Sequence, residues 1–356
     1  MKRDHELVLK GTFVVVKILG GGSLFVAAPS LMALRKKYPD VKFKLVCSNE
    51  VKVFAELLGV FDVIIPISTS SSIEFLKTSF IALRQIFRCD TILDLEIYSK
   101  LTSIFCLFSC ARNRIGFFMN INSWQSGLTT HSLFLNHSAP IYTFYEQAVL
   151  LLGATALSTQ ESRDILKSVH PWMSEVQKDL SSYTIAPFSS LLAPEREFSS
   201  EEWAEILSRN KFPENAKLTI LGGNADVDRA AELEILLSTR LRDVNIVNMA
   251  GKLKLVDSAH EIFKSNRLFA IDSGLNHIAR LFGTDVTSYW GPTNPNRFLK
   301  PMSGIDEEVH YKPPYCSPCV HLIDSPPCAG NNICMKNHLS MSQSCLDGWL
   351  IKGTRS

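Results

Sequence analysis

The stretch RLFAIDSGLNHIARLFGT (Arg267–Thr284) decides the fold class. Its first part is an apolar run of strand length that ends on Asp272, and its second part has the apolar spacing of a helix that begins at Gly274. A strand that leads directly into a helix is the unit from which parallel sheets are built. A helix N-terminus presents free N–H groups and the positive end of the helix dipole, so we expect a diphosphate to bind here, with His277 donating to it.

The same alternation of short apolar strands and longer helical periods extends in both directions along the chain. In the second half, strands are predicted at Tyr183–Phe188, Lys217–Gly223, Val244–Gly251 and Asp285–Gly291. In the first half, strands are predicted at Val14–Leu19, Phe43–Cys47, Val63–Ile67 and Thr91–Glu96, with helices at Leu24–Tyr38 and Ile73–Phe87. Continuous apolar strands are typical of parallel sheets with helices on both faces, so the chain is predicted to be α/β.

A length of 356 residues suits two domains rather than one. The polar stretch Glu161–Ser182 separates the two strand series and is the predicted boundary. We expect Rossmann-like, doubly wound domains at 1–170 and 171–311 that face each other across a cleft, where open parallel sheets bind ligands. Residues 312–356 are predicted to form a Cys/Pro-rich loop and a C-terminal helix near Ser340–Ile351, packing back toward the first domain.

Composition and charge exclude several classes of protein. Hydrophobic residues make up 46% and charged residues 20%, so a large core can be buried and disorder is not expected. A net charge of only +2 argues against a nucleic-acid partner. One basic cluster stands out and is interpreted as a solvated face or, alternatively, as a contact with an anionic acceptor or the inner membrane; it comprises Arg35, Lys36, Lys37, Lys42 and Lys44.

Apolar runs in this chain are too short to predict a membrane span. The first, Phe13–Leu19, has strand length, and Ile104–Ala111, flanked by Lys100 and Arg112, is predicted to be a buried helix. A cytoplasmic location is therefore expected, with peripheral contact at the inner membrane as an alternative.

Four cysteines fall in a proline-rich loop with the spacing Cys316-x2-Cys319-x8-Cys328-x5-Cys334. Two close pairs of thiols predict a four-thiolate site for structural zinc or iron. The alternative is four reduced thiols that pack the loop, or adventitious disulfides, because nine cysteines without an export signal are not expected to form a disulfide framework.

Further strand-to-helix loops have residues suited to close approach by a ligand. Glycine permits tight turns and close backbone contact, and a lysine can meet a phosphate. The loop Gly20–Ser23 by itself also fits a tight turn without a ligand. Four such loops in the second domain predict a nucleotide site. The expected ligand-binding residues are Gly21, Gly22, Gly223, Met249, Gly251, Lys252, Asp272, Ser273, Gly274, Leu275, His277, Gly291 and Thr293.

In their order, these motifs resemble glycosyltransferase family 9, whose members include ADP-heptose:lipopolysaccharide heptosyltransferases. The resemblance covers nearly the whole chain and is carried by GGGSLFVAAPSLMALRKKYPD, TILDLEIYSKL, RNRIGF, APFSSLLAPEREFSSEEWAEIL, LTILGG, VNMAGK, AIDSGLNHIARLFGT and WGPTNPNRF. Its most specific part is D-S/T-G-x-x-H-x-A followed by G-P-T-x-P.

This resemblance implies a GT-B architecture and an inverting transfer of a sugar, a heptose from ADP-heptose, to a hydroxyl of a glycan, lipid-linked or protein acceptor. It also implies that the donor diphosphate binds Asp272, Gly274, Leu275 and His277. The segment Ser189–Phe198 is similar to a family loop that holds donor phosphate, which adds Ser189, Ser190 and Arg196 as donor ligands.

Two positions depart from the family pattern. Ala186-Pro187-Phe188 replaces Asn-Pro-Asn. Ser23 stands where typical members have the Asp that is thought to act as general base, and a serine of ordinary acidity cannot take that proton. Strand alternation places Asp94 and Glu96 on one face at a strand end, so Glu96, and after it Asp94, are predicted to be the base.

Alternatives to this assignment remain at both the residue and the protein level. Asp94 could instead cap the following turn while Glu96 pairs with Arg112 or Arg114. The missing Asp at Ser23 also fits a catalytically inactive binding or scaffold subunit. A third alternative is a nucleotide-sugar epimerase or hydrolase of the same fold.

Overall fold

The structure is a computed structural model that describes residues 3–97, 99–118, 123–136, 138–189, 193–320, 322–323 and 326–340. Ser190 and residues 341–351 of the predicted C-terminal helix lie outside the described residues. The chain divides into two compact units, Met1–Ile165 and Leu166–Ser356.

The first unit is built on six parallel strands connected by helices. Its strands are β1 (Thr12–Lys17), β2 (Lys42–Ser48), β3 (Val63–Ile67), β4 (Thr91–Asp94), β5 (Asn113–Phe118) and β6 (His131–Phe134). Its helices are α1 (Gly22–Lys37), α2 (Asn49–Leu58), α3 (Ser72–Ile86), α4 (Lys100–Phe108), α5 (Ser123–Ser126), α6 (Ile141–Leu151) and, running into the second unit, α7 (Thr159–Val169).

A second sheet of six parallel strands forms the other unit. Its strands are β7 (Asp179–Ala186), β8 (Lys217–Ile220), β9 (Asn245–Asn248), β10 (Ser265–Ile271), β11 (Asp285–Trp290) and β12 (Glu307–Tyr311). Its helices are α8 (Trp172–Glu175), α9 (Ser200–Ser208), α10 (Val227–Arg240), α11 (Leu255–Lys264), α12 (Gly274–Phe282), α13 (Pro295–Phe298) and α14 (Ile333–Lys336).

Both sheets have the same strand order, which confirms the prediction of two Rossmann-like, doubly wound α/β sheets. The first runs β3-β2-β1-β4-β5-β6 and the second β12-β11-β10-β7-β8-β9. In each sheet the order reverses between the unit's first strand and its fourth, that is between β1 and β4 and between β7 and β10. Ligands of such sheets bind at the carboxyl ends of the strands at this reversal, so the candidate site of each unit lies there.

The strands at the reversal are buried because helices cover both faces. Phe13, Val14, Val15 and Val16 of β1 are all fully buried. This explains why the sequence of β1 is a continuous apolar run, whereas a strand with one solvent-exposed face would alternate apolar and polar residues.

Helix α4 departs from its sequence prediction. The stretch Ile104–Ala111 was expected to be a buried helix, but α4 starts at Lys100 and leaves Leu107 and Phe108 exposed. An apolar run cannot distinguish a helix buried on all sides from one with an uncovered apolar face. No described helix is long and apolar enough to cross a bilayer.

The described part of residues 312–340 packs on the second unit. Met335 is fully buried in a core cluster that also contains Trp203 and Tyr289. His338 Nε2 lies 2.9 Å from the carbonyl oxygen of Trp290. Burial lowers the pKa of His338 to about 4, so the ring is neutral at pH 7 and can donate to that carbonyl.

Candidate functional site

The N-terminus of α12 has no side-chain cap. Strand β10 ends at Ile271, and Ser273 occupies the N-cap position with extended backbone angles but no hydrogen bond from its side chain to the helix. The first N–H groups of a helix have no acceptor within the helix and are normally satisfied by a cap, by water or by a ligand. This end of α12 therefore offers N–H donors beside the β7–β10 reversal, as predicted for a binding site for anions.

Buried polar atoms without partners concentrate around the same turn. Nine buried side-chain N or O atoms among the described residues have no hydrogen-bond partner, and five of them belong to Ser273, Asn276, His277 and Thr293. An unsatisfied buried polar group costs about 1–3 kcal/mol, so native proteins rarely collect them in one place without a ligand to satisfy them. This concentration makes the turn the candidate binding site of the second unit.

Asp272 holds two basic side chains at this turn. Its carboxylate lies 3.8 Å from His277 Nε2 and 3.5 Å from Arg196 Nη1, and its carbonyl oxygen accepts from Arg196 Nη1 at 2.9 Å. Burial alone would raise the pKa of Asp272, but the nearby His277 ring and the charge of Arg196 outweigh it and hold that pKa below its usual value. The ionised carboxylate thereby holds both basic side chains at this turn.

Thr293 completes this part of the site from the loop after β11. Its hydroxyl faces Asp272 and lowers the pKa of that carboxyl, yet it does not reach good hydrogen-bonding geometry. Thr293 is buried. The structure thus brings together Asp272, Ser273, His277, Arg196 and Thr293 from three separate loops of the sequence.

Ser189 is tied into a structural network. Its backbone N–H and its hydroxyl both donate to Glu197 Oε1, at 2.6 Å and 2.9 Å. The other oxygen of Glu197 is bonded to Arg229, whose guanidinium lies 4.7 Å from the centre of the Phe188 ring. Ser189 therefore stabilises the loop that presents Arg196, and its role as a donor ligand stays a prediction.

Gly251, Met249 and Lys252 follow β9. Gly251 has a φ of 72°, and a Cβ there would lie 2.6 Å from Val227, so the backbone itself requires glycine. Met249 and Leu275 both pack against the apolar cluster that contains Ala186 and Ala270. Lys252 Nζ donates to the carbonyl oxygen of Asn248 at 2.7 Å.

Two other glycines of the predicted site differ in what surrounds them. At Gly223 a Cβ would meet only Asp226 Oδ2, at 3.6 Å, which leaves the space open. At Gly291 a Cβ would lie 2.5 Å from Met335 Sδ and 2.9 Å from Cys334 Sγ. The absence of a side chain at Gly291 is thus required by the packed C-terminal segment.

The predicted four-cysteine metal site is not supported. Among the described residues, which include all four thiols, no three His, Cys, Asp or Glu side chains are grouped so that they could hold a metal ion. Burial, and after it the nearby thiols Cys328 and Cys316, raise the pKa of Cys319. Burial likewise raises the pKa of Cys334 to about 12. Cys334 lies in the core of the second unit, where its Sγ packs close to Gly291.

In the first unit, Glu96 fastens the loop that follows β1. Its Oε1 accepts from Lys17 Nζ at 2.9 Å and from the backbone N–H groups of Ile18 and Leu19 at 2.7 Å and 2.8 Å. Its partner is therefore Lys17 and not Arg112 or Arg114. The second oxygen, Oε2, makes no hydrogen bond to a described residue, which leaves one carboxylate oxygen free at the carboxyl end of the sheet.

Asp94 is buried directly beneath Glu96. Its Oδ1 accepts from the Glu96 N–H at 3.0 Å and its Oδ2 from the Thr102 hydroxyl at 3.0 Å. Burial raises the pKa of Asp94 to about 7, partly opposed by these two hydrogen bonds. Asp94 does cap the turn after β4, as the alternative interpretation of the sequence held.

Ser23 lies in the first turn of α1, and its hydroxyl donates to the Gly20 carbonyl at 2.6 Å. A Cβ at Gly21 would lie 2.2–2.7 Å from atoms of the Phe54 ring, so Phe54 packing requires glycine there. Gly22 is the first residue of α1. Ligand binding by Gly21 and Gly22 stays a prediction.

Asn276 was missed by the sequence analysis. It is fully buried, and both its amide oxygen and its amide nitrogen lack partners. Its position in the turn between Leu275 and His277 was visible in the sequence, but only the fold shows that its amide is buried without partners.

Comparison with known proteins gives both a family and a fold. The model of glycosyltransferase family 9 (heptosyltransferase) matches residues 149–329, half of the chain. Escherichia coli ADP-heptose lps heptosyltransferase II has a TM-score of 0.61 at 17% identity, covering 92% of this chain and 98% of its own. E. coli heptosyltransferase WaaC with ADP has a TM-score of 0.64 at 13% identity, covering 84% and 93%.

A family 9 glycosyl transferase from Veillonella parvula has a TM-score of 0.62 at 17% identity, covering 84% of this chain and 86% of its own. At these identities the likeness concerns the fold, and it agrees with the GT-B architecture implied by the sequence. No curated protein matches the chain in sequence.

Proposed function

Because the chain belongs to glycosyltransferase family 9 and is a glycosyltransferase, we propose that it transfers a heptose from ADP-heptose to a hydroxyl of a glycan, lipid-linked or protein acceptor, with inversion at the sugar carbon. The single observation that carries the donor assignment is the uncapped N-terminus of α12, with its unpartnered polar atoms and its two basic side chains.

The donor diphosphate would bind at that turn. Helix N–H groups, Arg196 and His277 supply donors of the kind that bind phosphate oxygens. Asn276 and Thr293 have further buried polar atoms whose partners a ligand could supply. In this proposal, charge that develops on the leaving diphosphate is stabilised by groups already in position.

Adenine is the base we propose because solved relatives of the same fold bind ADP or ADP-2-deoxy-2-fluoro heptose. In this chain, Met249 and Leu275 are partly buried side chains that pack on one apolar cluster, and a planar base could pack against them. The donor identity is supported by that likeness and by these two side chains.

Chemically, the transfer is one displacement. The acceptor oxygen forms a bond to the anomeric carbon, the bond from that carbon to the diphosphate oxygen breaks, and ADP leaves with the bonding electron pair. The acceptor proton must pass to a base. We assign this role to Glu96, whose Oε2 is free while Oε1 is held by Lys17 and two backbone N–H groups.

The proposal is tested by calorimetric titration of ADP, UDP and GDP, followed by assays of ADP release from ADP-heptose with and without acceptor extracts. We expect ADP to bind most tightly and its release to require an acceptor. Tighter binding of another nucleoside diphosphate would overturn the donor assignment. Release without any acceptor would instead assign hydrolysis, and donor binding without turnover would assign a binding subunit.

A further inference from the structure

Helices α3 and α4 lie on the same face of the first sheet. Ala82 and Ile86 of α3 and Cys106 of α4 belong to one buried cluster on that face. The C-terminal ends of the two helices are joined by a hydrogen bond of 2.8 Å from the Arg88 N–H to the Ser109 carbonyl. Their outward sides therefore form one continuous surface of the first unit.

That surface is apolar although none of the described residues buries it. Ile73, Leu76 and Phe80 follow the i, i+3, i+7 spacing of a single helical stripe and are 77%, 68% and 62% exposed. Phe87 continues the surface past the end of α3, and α4 adds two more large side chains. We call this set the apolar face: Ile73, Leu76, Phe80, Phe87, Leu101 and Phe108. A helix that is apolar toward the core and also outward is typical of one covered on both sides, and a large exposed patch marks an interaction site.

Basic side chains accompany the apolar face. We call them the basic rim: Lys77, Arg84, Arg88, Lys100 and Arg112, all exposed. Four of them make no ion pair with any described residue, and Lys77 contacts only Glu74, at 3.4 Å. The acidic residues near these five are Glu74 on α3 and Asp90 shortly after it, so positive charge predominates on this surface and is largely unneutralised.

We propose that the apolar face and the basic rim dock this protein on an anionic lipid bilayer. Phenylalanine and leucine side chains favour insertion at the boundary between headgroups and acyl chains, and each lysine or arginine near an anionic surface raises the affinity for it about fivefold. The adjacency of Lys77 and Arg84 to the apolar stripe on one helix suits a helix that lies in the plane of the membrane surface.

Charge decides against a second copy of this chain as the occupant. A two-fold dimer through this face would bring the same patch against itself, and the five cations of one basic rim would face those of the other. Like charges placed together across an interface are unfavourable, whereas an anionic surface neutralises them. The basic residues of α1 differ from the basic rim because two of them are neutralised by ion pairs. Arg35 pairs with Asp62 at 2.8 Å and Lys36 with Glu161 at 3.2 Å.

This inference is independent of the proposed donor and acceptor. It is tested on the full chain by flotation with phosphatidylcholine vesicles and with vesicles that also contain phosphatidylglycerol. Two double variants probe the two parts of the surface, Leu76→Ser with Phe80→Ser and Arg84→Glu with Arg88→Glu. The matched controls are Ile235→Ser, at an exposed apolar site on α10, and Arg240→Glu at the end of that helix.

We expect wild type to bind the phosphatidylglycerol vesicles and to dissociate as salt rises. The apolar double variant should lose at least tenfold in affinity, and the charge variant about 25-fold or more, at about fivefold per charge removed. Both controls should bind as wild type does. Circular dichroism and melting temperature confirm that each variant is folded.

Three results would overturn the proposal. The first is that wild type fails to float with anionic vesicles, and the second is that both double variants float as well as wild type does. The third is that sedimentation velocity shows a wild-type dimer that both double variants dissociate, which would assign the face to a second copy of the chain.

Discussion

Glu96 Oε1 accepts a 2.9 Å hydrogen bond from Lys17 Nζ, which joins the carboxyl ends of β4 and β1 at the reversal of strand order. The two side chains are about nine-tenths buried. Through the same oxygen Glu96 also holds the N–H groups of Ile18 and Leu19. The candidate base therefore has a fixed position, since three groups hold its Oε1.

Glu96→Gln tests the assignment of the base. Glutamine keeps the size of the side chain and an acceptor oxygen for Ile18 and Leu19, but it cannot take a proton at neutral pH. Donor affinity should stay unchanged while kcat falls by roughly 10²–10⁴, the usual contribution of a positioned base.

Ser23→Ala is the matched control for that variant. Among the described residues, the Ser23 hydroxyl bonds only to the Gly20 carbonyl, so its loss should change kcat far less. Full turnover by Glu96→Gln, or loss of turnover in Ser23→Ala alone, would show that another group takes the acceptor proton.

Asp94→Asn tests whether the carboxyl beneath Glu96 is protonated. With a pKa of about 7 in the folded protein and 3.8 as its ordinary value, Asp94 retains its proton in the folded state while the unfolded chain loses it. The free energy of unfolding of wild type should therefore fall as pH rises from about 4 to about 7.

Asparagine does not titrate, so its variant lacks this pH-dependent loss of stability. The free energy of unfolding of Asp94→Asn relative to wild type should therefore rise by about 3 kcal/mol between pH 5 and pH 8. Urea unfolding of both proteins at the two pH values measures the difference. If that difference does not change with pH, Asp94 ionises normally and the link between its burial and its protonation fails.

How much of this could be predicted from the sequence depends on whether the determining contacts are local. Val63–Ile67 was located to the residue because its apolar run matches a buried strand. Strand β5 was missed because it begins with Asn113 and Arg114, which are buried polar residues. The Asn113 amide donates to Thr91 Oγ1 at 2.9 Å, and Arg114 Nε donates to the Leu128 carbonyl at 2.7 Å. These hydrogen bonds to residues distant in the sequence compensate the desolvation cost of burying the two polar side chains.

In the candidate site, too, local features could be predicted from the sequence and contacts between distant segments could not. The turn from Asp272 to His277 is local and was found from its strand-to-helix pattern. The partnership of Glu96 with Lys17 depends on β1 and β4 being neighbours, although they are far apart in sequence. No spacing rule could select Lys17 over Arg112 before the strand order was known.

His277→Ala tests the donor site. The ring lies next to Asp272 with its Nε2 toward the carboxylate and an unpartnered Nδ1, so its imidazolium form can donate from Nδ1 to a phosphate oxygen. Losing a hydrogen bond to a charged group should weaken ADP binding by roughly 1.5–3 kcal/mol, measured by calorimetry. His260→Ala, on α11, is the control and should bind ADP as wild type does. Equal affinity in all three proteins would remove His277 from the site.

Gly291→Ala separates a structural glycine from one that a ligand approaches. The added methyl group would lie 2.5 Å from Met335 Sδ and 2.9 Å from Cys334 Sγ, within the core that holds residues 333–338 on the second unit. Overpacking of this kind costs about 1–3 kcal/mol, so the free energy of unfolding should fall by that amount. ADP affinity should change little, because the conflict is with the C-terminal segment.

Gly223→Ala is the matched comparison and should behave in the opposite way. Its φ of −83° suits alanine, and the new methyl group would meet only Asp226 Oδ2, at 3.6 Å. Stability should therefore be kept, while ADP affinity falls if the donor approaches the loop after β8. Should Gly291→Ala melt like wild type and lose ADP binding instead, the close packing at Gly291 would not be what requires a glycine there, and the loop after β11 would have to be assigned to direct contact with the donor.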